Sequence, residues 1–456
     1  AASDVYKRQG QDDPVDDGDT AYDILLSIAS TTDADYQSAP DATITLTNVD
    51  NDIANFVWDG GGDGTSWHDP INWVSDTLPI STADVLIPKQ PGEITVVIDQ
   101  DSTVATIYSE EHLSLTGGTL TVTTGGIARE GLHHQGTSLY LQANFFTQVV
   151  SRWSSGDLRG PGWTNEGVLQ VTGSEIRNLY GALNNQGTVV HNASGAIRGW
   201  QRDSEGWTGR VNNLPDGVYE FQQGQLQWWS GDPSFDNQGI LLKTTDGTAS
   251  IDFALNVLDG SDVQVLGGQL RAGRGGSFSG SYVISQGAFQ PSGGTFVLQE
   301  GSIGSGAGQL RPVGGTLTVP ANATATLDGV LFLDGGTTSG SGTLRLIGQN
   351  TIVGGSFGGI VSNEGTLDWN SGDLGRGVID NLATVNINGA AIRNLYGTLN
   401  NQGAVVHNAG GAIRGWQRDS EGWTGRVNNL PDGVYEFQQG QLQWWSGDPS
   451  FDNQGI

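Results

Sequence analysis

A long internal duplication constrains the fold of this chain more than any other feature of its sequence. Residues 176–240 match residues 392–456 at an offset of 216, and 62 of the 65 aligned positions are identical. The three differences are Ala182/Thr398, Thr188/Ala404 and Ser194/Gly410. In a solenoid each coil contacts only its neighbours, so whole coils are easily inserted or duplicated. The duplication therefore predicts a repeat architecture.

A shorter repeat lies within the long one. Asn-x-Gly triplets recur at 165–167, 185–187, 237–239, 363–365, 401–403 and 453–455. Asn213 and Asn429 lie in related NNLPDG segments, so the steps from Asn165 are 20, 28 and 24 residues. Asn and Gly tolerate the left-handed backbone conformation of sharp corners, and we expect it at these triplets. Short alternating runs such as GVLQVTG separate the corners, and this pattern predicts an all-β chain folded as a right-handed parallel β-helix, a β-solenoid.

The composition excludes several classes of protein. Of the 456 residues, 71 are Gly, none is Cys or Met, and the formal net charge is −29. Without Cys there is no disulfide-stapled module, no thiolate zinc site and no cysteine nucleophile. A chain this acidic repels phosphate, so we expect no nucleic-acid partner. No apolar run approaches the roughly 20 residues of a membrane span, so we expect none in this chain.

The chain divides into four regions. Residues 1–9 include SDVYKRQ, which looks like translated sequencing adapter, and we interpret them as a sequencing artefact. The sequence stops inside a repeat at Ile456, so we interpret the chain as a fragment of a longer protein. Residues 1–110 carry 21 acidic and 3 basic residues, against 28 and 17 in the other 346. We divide the rest into residues 10–54, 55–110 and 111–456.

Residues 10–54 contain two alternating runs, with Tyr22, Ile24 and Leu26 in the first and Ile44 and Leu46 in the second. Two strands cannot hold a core alone, so we predict the last pair of a β-sandwich that is truncated here. The stretches DDPVDDGDTAYDILLSI and TITLTNVDND resemble the C-terminal end of the Calx-β domains of large bacterial surface proteins.

This resemblance implies a calcium site, because Calx-β and cadherin-like domains bind calcium through acidic loops near their ends. The matching positions are Asp13, Asp16, Asp17, Asp19, Asp50 and Asp52. Clustered carboxylates suit a hard cation that takes oxygen ligands. The alternative is a solvated acidic loop without metal. We expect no organic cofactor.

Residues 55–110 form a Trp- and Gly-rich lead-in that contains Trp58, Trp67 and Trp73. The segment resembles those that precede β-solenoids in bacterial exoproteins. We expect its Trp side chains to cap the first coil, since an uncapped solenoid end exposes apolar side chains and strand edges. Asp59 and Asp63 in DGGGDG are either cation ligands or part of a Gly-rich turn, and we favour the turn.

Residues 111–456 contain runs such as NNQGTVVHN, VNNLPDGVYEFQ and SFDNQGI. They resemble the β-helical repeats of filamentous-haemagglutinin-like and autotransporter-like bacterial surface proteins. The resemblance implies a non-catalytic structural or adhesive stalk at the cell surface or outside the cell. Its partner would be a glycan or the surface of a host or neighbouring cell. The sequence leaves the oligomeric state open.

The segment GWQRDSEGWTGR occurs twice and interrupts the coil rhythm. Two Trp residues and paired charges in a protruding loop suit a glycan-binding module. The candidate residues are Trp200, Arg202, Asp203, Glu205 and Trp207 in the first copy and Trp416, Arg418, Asp419, Glu421 and Trp423 in the second. The alternative, which we favour, is a self-packed loop. We also expect one of the adjacent Trp228 and Trp229 to pack inward.

Polysaccharide lyases and hydrolases also use β-helices, and this enzymatic alternative stays open. Such enzymes need acidic groups, or acids with a basic residue, that converge on one face. Lys is scarce, and His133 and His134 are adjacent, so on a strand they point to opposite faces. His191 and His407 each alternate with Val, and we expect them on the coil surface. We therefore predict that this chain is not an enzyme.

Overall fold

The computed structural model describes residues 20–26, 42–48, 54–202, 206–418 and 422–456. About 60% of the described residues are in β-strands. In the described ranges the only helix is a single 3₁₀ turn, Pro70–Asn72, which Asp69 caps by accepting a hydrogen bond from the Ile71 amide. The all-β class predicted from the sequence is confirmed.

The first two strands form an antiparallel pair, β1 (Thr20–Leu26) and β2 (Ala42–Asn48). Tyr22 lies opposite Leu46 and Ile24 opposite Ile44, so the strands occur where the sequence alternates. Tyr22, Ile44 and Leu46 are exposed. That the pair belongs to a Calx-β-like sandwich stays a prediction.

All the remaining strands follow in the described part of the chain. The first group is β3 (Phe56–Val57), β4 (Asp84–Ile87), β5 (Thr95–Ile98), β6 (Ser102–Ser109), β7 (His112–Leu115), β8 (Thr119–Ala128), β9 (Leu132–His134), β10 (Ser138–Leu141), β11 (Phe145–Thr147), β12 (Val150–Trp153), β13 (Asp157–Arg159), β14 (Trp163–Asn165), β15 (Val168–Gly173), β16 (Arg177–Leu179), β17 (Ala182–Asn185), β18 (Thr188–Ala193), β19 (Ile197–Gly199), β20 (Gln201–Arg202), β21 (Trp207–Thr208), β22 (Arg210–Asn213), β23 (Val218–Trp228) and β24 (Ser234–Asn237). The second group is β25 (Ile240–Lys243), β26 (Thr248–Ile251), β27 (Ala254–Val257), β28 (Asp262–Val265), β29 (Gln269–Ala272), β30 (Gly276–Phe278), β31 (Ser281–Ile284), β32 (Ala288–Pro291), β33 (Thr295–Leu298), β34 (Ile303–Ser305), β35 (Gln309–Leu310), β36 (Thr316–Val319), β37 (Thr324–Asp328), β38 (Phe332–Leu333), β39 (Thr337–Gly340) and β40 (Thr343–Ile347). The third group is β41 (Gln349–Ile352), β42 (Ser356–Asn363), β43 (Thr366–Trp369), β44 (Asp373–Asn381), β45 (Thr384–Gly389), β46 (Arg393–Leu395), β47 (Thr398–Asn401), β48 (Ala404–Gly415), β49 (Gln417–Arg418), β50 (Trp423–Thr424), β51 (Arg426–Asn429), β52 (Val434–Trp444) and β53 (Ser450–Asn453).

Apart from the hairpin strands β20, β21, β49 and β50, these strands wind into a parallel β-solenoid of about 18 turns, which confirms the predicted architecture. Each coil adds one strand, or half of a long bent strand, to each of three faces. Face 1 includes β15, β18, the first half of β23, β25 and later β47, β51 and β53. Face 2 includes β16, β19, the second half of β23, β26 and later the first halves of β48 and β52. Face 3 includes β17, β22, β24, β27 and later β46 and the second halves of β48 and β52.

Side-chain alternation along each strand fills the interior. In β15, for example, Leu169 and Val171 point inward and are fully buried, while Val168 and Gln170 are half-buried on the outside. Successive residues of a strand point to opposite sides, so each short strand contributes about two side chains to the core. The result is a narrow, continuous apolar core from Trp58 to Tyr435.

The corners of the coils hold two ladders of buried asparagine side chains. In the first, the Nδ2 of Asn165 donates to the Oδ1 of Asn185 at 2.8 Å, Asn185 donates to Asn213 at 2.8 Å, and Asn213 to Asn237 at 2.7 Å. The second ladder joins Asn363, Asn381, Asn401, Asn429 and Asn453 at 2.6–2.7 Å. All but Asn453 are fully buried. Each step therefore ties two adjacent coils together from inside.

The prediction of a left-handed backbone at the Asn-x-Gly triplets is wrong. In the described part of the chain, none of their Asn or Gly residues has a positive φ. Asn is required instead for its amide, which also donates to corner carbonyls, as Asn185 does to those of Gly187 and Val218. Gly is required because coils stack closely, and a Cβ on Gly187 would overlap the carbonyl oxygen of Gly167.

The two copies of the 65-residue repeat do not lie on the same faces. In the first copy β17 belongs to face 3 and β18 to face 1. The equivalent strands of the second copy, β47 and the first half of β48, belong to face 1 and face 2. The 216-residue offset is therefore not a whole number of turns, and the second copy is rotated by one face, about one third of a turn.

Trp58, Trp67 and Trp73 form a buried trio beside the first coil. Trp73 packs edge-on against both others, with ring centroids 5.1 Å from Trp58 and 4.9 Å from Trp67. Backbone amides of Trp58 and Trp67 donate to Leu86 in β4 and Val97 in β5. Parallel pairing is already present here, since β3 pairs with β4 and β4 with β6. The assignment of residues 55–110 as a separate lead-in stays a prediction.

Candidate functional site

Many of the predicted site residues lie outside the described residues. These are the calcium candidates Asp13, Asp16, Asp17, Asp19, Asp50 and Asp52 and the loop acids Asp203, Glu205, Asp419 and Glu421. Only the backbone of Arg202 and Arg418 is described. Trp200, Trp207, Trp416 and Trp423 are described with their side chains.

The duplicated segment leaves the solenoid as a small hairpin, which explains the interrupted coil rhythm. In the first copy β20 pairs antiparallel with β21, and Arg202 lies opposite Trp207. In the second copy β49 and β50 repeat this register. The first hairpin leaves between faces 2 and 3 and the second between faces 3 and 1, because the second copy is rotated by one face. A ligand that lies along one edge therefore does not contact both hairpins.

An aromatic cluster lies at the base of the first hairpin. Trp200 is half-buried, with its ring centroid 5.6 Å from Tyr180 and 5.4 Å from Trp229. The Nε1 of Trp200 donates to the Oδ1 of Asn178 at 2.7 Å. Tyr180, Trp200 and Trp229 come from three successive coils, so the cluster runs along the solenoid. Its packing stabilises the outer corner that the hairpin leaves open.

Both residues of the adjacent Trp pair are exposed, so the prediction that one packs inward was wrong. Trp228 is 42% exposed and Trp229 is 45% exposed. They lie at the end of β23, where the strand turns toward the corner before β24. The guanidinium of Arg198 lies over the Trp229 ring at 4.3 Å, and that of Arg274 over the Trp228 ring at 4.6 Å. Arginine thus covers one face of each ring.

The second copy rebuilds the same cluster. Trp416 lies 5.9 Å from Tyr396 and 5.7 Å from Trp445, and its Nε1 donates to Asn394 at 2.8 Å. Arg414 lies 4.0 Å over Trp445. The shared unit is therefore one Tyr, two Trp, one Arg and one Asn. The two copies lie on different faces of the solenoid. The cluster therefore depends on the repeated sequence and its own coils, and not on the face that carries it.

The outer Trp of each hairpin is less similar between the copies. Trp207 packs edge-on against Tyr140, with ring centroids 5.6 Å apart. The position 216 residues after Tyr140 is Ser356, so Trp423 lacks this partner residue. Trp207 and Trp423 are both half-buried. That each loop packs on itself stays a prediction.

Sequence reasoning missed a set of buried polar side chains inside the coils. His191 and His407 are fully buried, so their predicted surface location was wrong. In β18, His191 has the same parity as the inward Val189, and this was the signal that could have found it. The Nδ1 of His191 lies 3.0 Å from the hydroxyl of Tyr219, and His407 repeats this contact with Tyr435.

Burial sets the protonation of these groups. Loss of solvation lowers the pKa of His191 to about 3 and that of His407 to about 4. The neighbouring buried guanidinium of Arg177 acts on His191 in the same direction. Arg177 donates to the backbone carbonyls of Trp153 and Glu175, at 3.1 and 2.8 Å. These groups therefore stabilise the core rather than face a substrate.

His133 and His134 point to opposite sides of β9, as predicted. His134 is fully buried and stacks on Trp153, while His133 is half-buried and lies 2.9 Å from the Ser154 hydroxyl. Burial lowers the pKa of His134 to about 4. The pair does not converge on one site.

The DGGGDG segment forms a turn that is held together by one carboxylate oxygen of Asp63. Its Oδ1 accepts hydrogen bonds from the amides of Thr65 and Ser66 and from Asn72, at 2.7–2.9 Å. These bonds lower its pKa to about 2, the bond from Ser66 most strongly. Asp59 likewise accepts from the Gly61 amide. The geometry supports the Gly-rich turn that we favoured over a cation site.

Across the described ranges, no three or more His, Asp or Glu residues are grouped so that they could hold a metal ion. In the same ranges no helix is long and apolar enough to cross a membrane. Comparisons of the chain with models of known protein families, with curated proteins and with solved structures gave no match. The fold and the local geometry therefore carry the functional argument alone.

Proposed function

We propose that this chain is a stiff structural stalk of a large extracellular or cell-surface protein, and that it is not catalytic. One observation carries the proposal: about 18 turns stack on three continuous faces around one core. Strands in neighbouring coils lie about 4.8 Å apart, so the stack spans on the order of 85 Å. A rod of this length suits separation of a displayed surface from its anchor.

The interior supports stiffness. Asparagine ladders and buried arginine side chains join consecutive coils by hydrogen bonds that are shielded from water. Shielded hydrogen bonds are costly to break, since the separated groups stay unsatisfied. Bending the rod would stretch these bonds on one side. The absence of Cys also means that this stiffness does not depend on disulfides.

A distance measurement tests the stalk. The chain has no Cys, so Glu130→Cys plus Asp432→Cys would allow two labels at exposed positions about 14 coils apart. We expect a single narrow distance of about 70 Å that does not change with salt. A short or broad distribution would overturn the stiff stalk. Labels at Glu130 and at Glu166, which lie only two coils apart, are the matched control.

Glycan binding is the second candidate, and the repeated exposed aromatic cluster favours it. Trp228 and Trp229 keep large exposed surfaces, and sugars stack on such rings. A bound sugar would have to stack on the ring face that the Arg side chain leaves uncovered, or displace that side chain. A glycan array should therefore show binding that Trp229→Ala plus Trp445→Ala abolishes. Leu266→Ala, at an exposed apolar position elsewhere, is the control, and equal profiles would reject this candidate.

Calcium binding at residues 10–54 remains a separate proposal, supported by the Calx-β-like resemblance and the clustered acids. EDTA should lower the melting temperature of a protein that carries the complete first domain. An unchanged melting temperature would reject calcium. The solenoid transition of the same sample serves as the internal control.

A further inference from the structure

A strip of four aromatic side chains and one arginine runs along the corner between face 2 and face 3. Tyr140 pairs with Arg159 in the next coil. The backbone amides of Tyr180, Trp200 and Trp229 each donate to the coil before, so each residue lies one coil further along. This set, called the first strip below, therefore takes one side chain from each of five consecutive coils. At about 4.8 Å per coil it is about 19 Å long.

Contacts between neighbouring side chains order the first strip. The Arg159 guanidinium lies over the Tyr180 ring, 5.5 Å from its centroid. The ring centroids of Tyr180 and Trp200 are 5.6 Å apart, and those of Trp200 and Trp229 are 5.4 Å apart. Packing of this kind fixes the orientation of each ring before any ligand arrives.

The hairpin adds one further Trp at the other end of the first strip. Trp207 packs edge-on against Tyr140, with ring centroids 5.6 Å apart. Trp207 is half-buried and Trp229 is 45% exposed, so both rings keep surface open to solvent. A ligand that contacts both must span about four coil spacings, or about 19 Å. This separation favours a chain of several sugars over a monosaccharide.

The second copy shortens the strip at this end. Its aromatic residues are Tyr396, Trp416 and Trp445. In the strand register of the coils before them, Gly375 takes the place of Arg159 and Gly358 the place of Tyr140. Glycine has no side chain, so Trp423 lacks the ring on which the first hairpin packs. Two almost identical sequences therefore present different surfaces, because the coils that precede them differ.

The charges around the first strip favour a neutral ligand. Arg159 lies 3.6 Å from a carboxylate oxygen of Asp157. Arg198 lies over the Trp229 ring, and its Nε donates to the Oε1 of Gln227 at 2.9 Å. Both arginines thus already have partners. The net charge of −29 also repels acidic polymers.

We propose that the first strip binds one neutral, linear polysaccharide along the solenoid axis, and that the second copy does not form such a site. This inference rests on the glycan-binding candidate above and names its ligand class and its location. Sugars stack on the open surfaces of Trp207 and Trp229. Tyr140 is a positioning residue, because it holds Trp207 in place. A ring that is already held loses less conformational freedom on binding than the unanchored Trp423.

Affinity electrophoresis of the full chain tests the proposal. The gels contain a soluble β-glucan, a xylan or a galactomannan, and polygalacturonate is the acidic comparison. We expect at least one neutral polymer to retard the chain and polygalacturonate not to retard it. Trp207→Ala should weaken this binding about tenfold, whereas the matched Trp423→Ala should change it less than about twofold.

Variants of Tyr140 separate positioning from a general loss of structure. Tyr140→Ala should weaken binding about as much as Trp207→Ala, and the double variant should bind no more weakly than either, since both remove one contact. Tyr140→Phe should bind like the parent chain, because the ring alone anchors Trp207. Thermal melts followed by circular dichroism should show the same folded state for all of these variants.

The outcomes distinguish failure of this inference from failure of glycan binding itself. If no polymer retards the chain, glycan binding is rejected and the inference falls with it. If a neutral polymer retards the chain but Trp207→Ala and Trp423→Ala weaken binding equally, glycan binding stands and the assignment to the first strip is wrong. Retardation by polygalacturonate alone would overturn the neutral ligand.

Discussion

The buried asparagine ladder provides the sharpest test of what holds the coils together. Asn184 and Asn185 are adjacent in β17 and of the same residue type, but they point to opposite sides. Asn185 is fully buried within the ladder. Asn184 is half-buried on the outer surface, where its Oδ1 accepts a hydrogen bond from Asn212 at 2.7 Å and its Nδ2 lies 3.4 Å from the Thr164 hydroxyl. Replacing each by Ala therefore compares an inner with an outer amide at one point of the solenoid.

The expected magnitude follows from the hydrogen bonds of Asn185. Its Nδ2 contacts the Oδ1 of Asn213 and the carbonyls of Gly187 and Val218, and its Oδ1 accepts from Asn165. Each bond contributes about 1 kcal/mol net, and buried partners that stay unpaired cost more. We therefore expect Asn185→Ala to lower the free energy of unfolding by about 3–4 kcal/mol. Asn184→Ala should cost less than about 1 kcal/mol, since water replaces its partners.

Urea unfolding measured by Trp fluorescence gives the free energies. Because a solenoid can open locally, amide hydrogen exchange in β14, β17 and β22 should be measured alongside urea unfolding. We expect faster exchange in these strands for Asn185→Ala and little change for Asn184→Ala. Equal destabilisation by the two substitutions would refute the ladder as the source of inter-coil stability.

Three further predictions concern corners and titrating groups. Gly187→Ala should destabilise by about 1–3 kcal/mol in urea unfolding, because its Cβ would overlap the Gly167 carbonyl, whereas Gly410→Ala, where space is open, should be neutral. Stability should fall as the pH drops from about 6.5 toward 3, because the unfolded chain binds protons that buried His191 does not; a His191→Phe variant should lose part of this slope in melts across that range. Asp63 has a lowered pKa of about 2, so its contribution to folding stability is present above about pH 4 and is lost as the pH falls toward 2. Asp63→Asn should remove this pH dependence, which thermal melts between pH 2 and 5 would detect. If either variant keeps the pH dependence of stability of the parent chain, the role predicted for that residue is wrong.

Local pattern explains why the architecture could be predicted. Strands of the solenoid are short and alternate strictly, and β15 and β18 read as VLQVTG and TVVHNA, with inward residues two apart. Such periodicity, together with a repeat of coil length, depends only on neighbouring residues. The hairpin with Trp200 and Trp207 could also be located, because it interrupts this rhythm.

The candidate site was harder to predict than the fold. The cluster of Tyr180, Trp200 and Trp229 joins residues from three coils, and their proximity depends on the register of stacking. Arg274 reaches Trp228 from a later coil. No spacing within one coil predicts these contacts. The burial of His191 was readable from strand parity, but its partner Tyr219 lies 28 residues away.

Sequence alone determined that this chain is a repeat-built, all-β solenoid with corners at the Asn-x-Gly triplets, since alternation and periodicity are local properties. Only the tertiary structure decided what the corner residues do. Asn185 bonds to Asn213 because stacking places equivalent corners within hydrogen-bonding distance, and Gly187 leaves room for the carbonyl of the coil before it. The tertiary structure also decided that two nearly identical repeats lie on different faces. That rotation depends on how many strands separate the two copies. The number is known only when each strand has been assigned to a face of the solenoid.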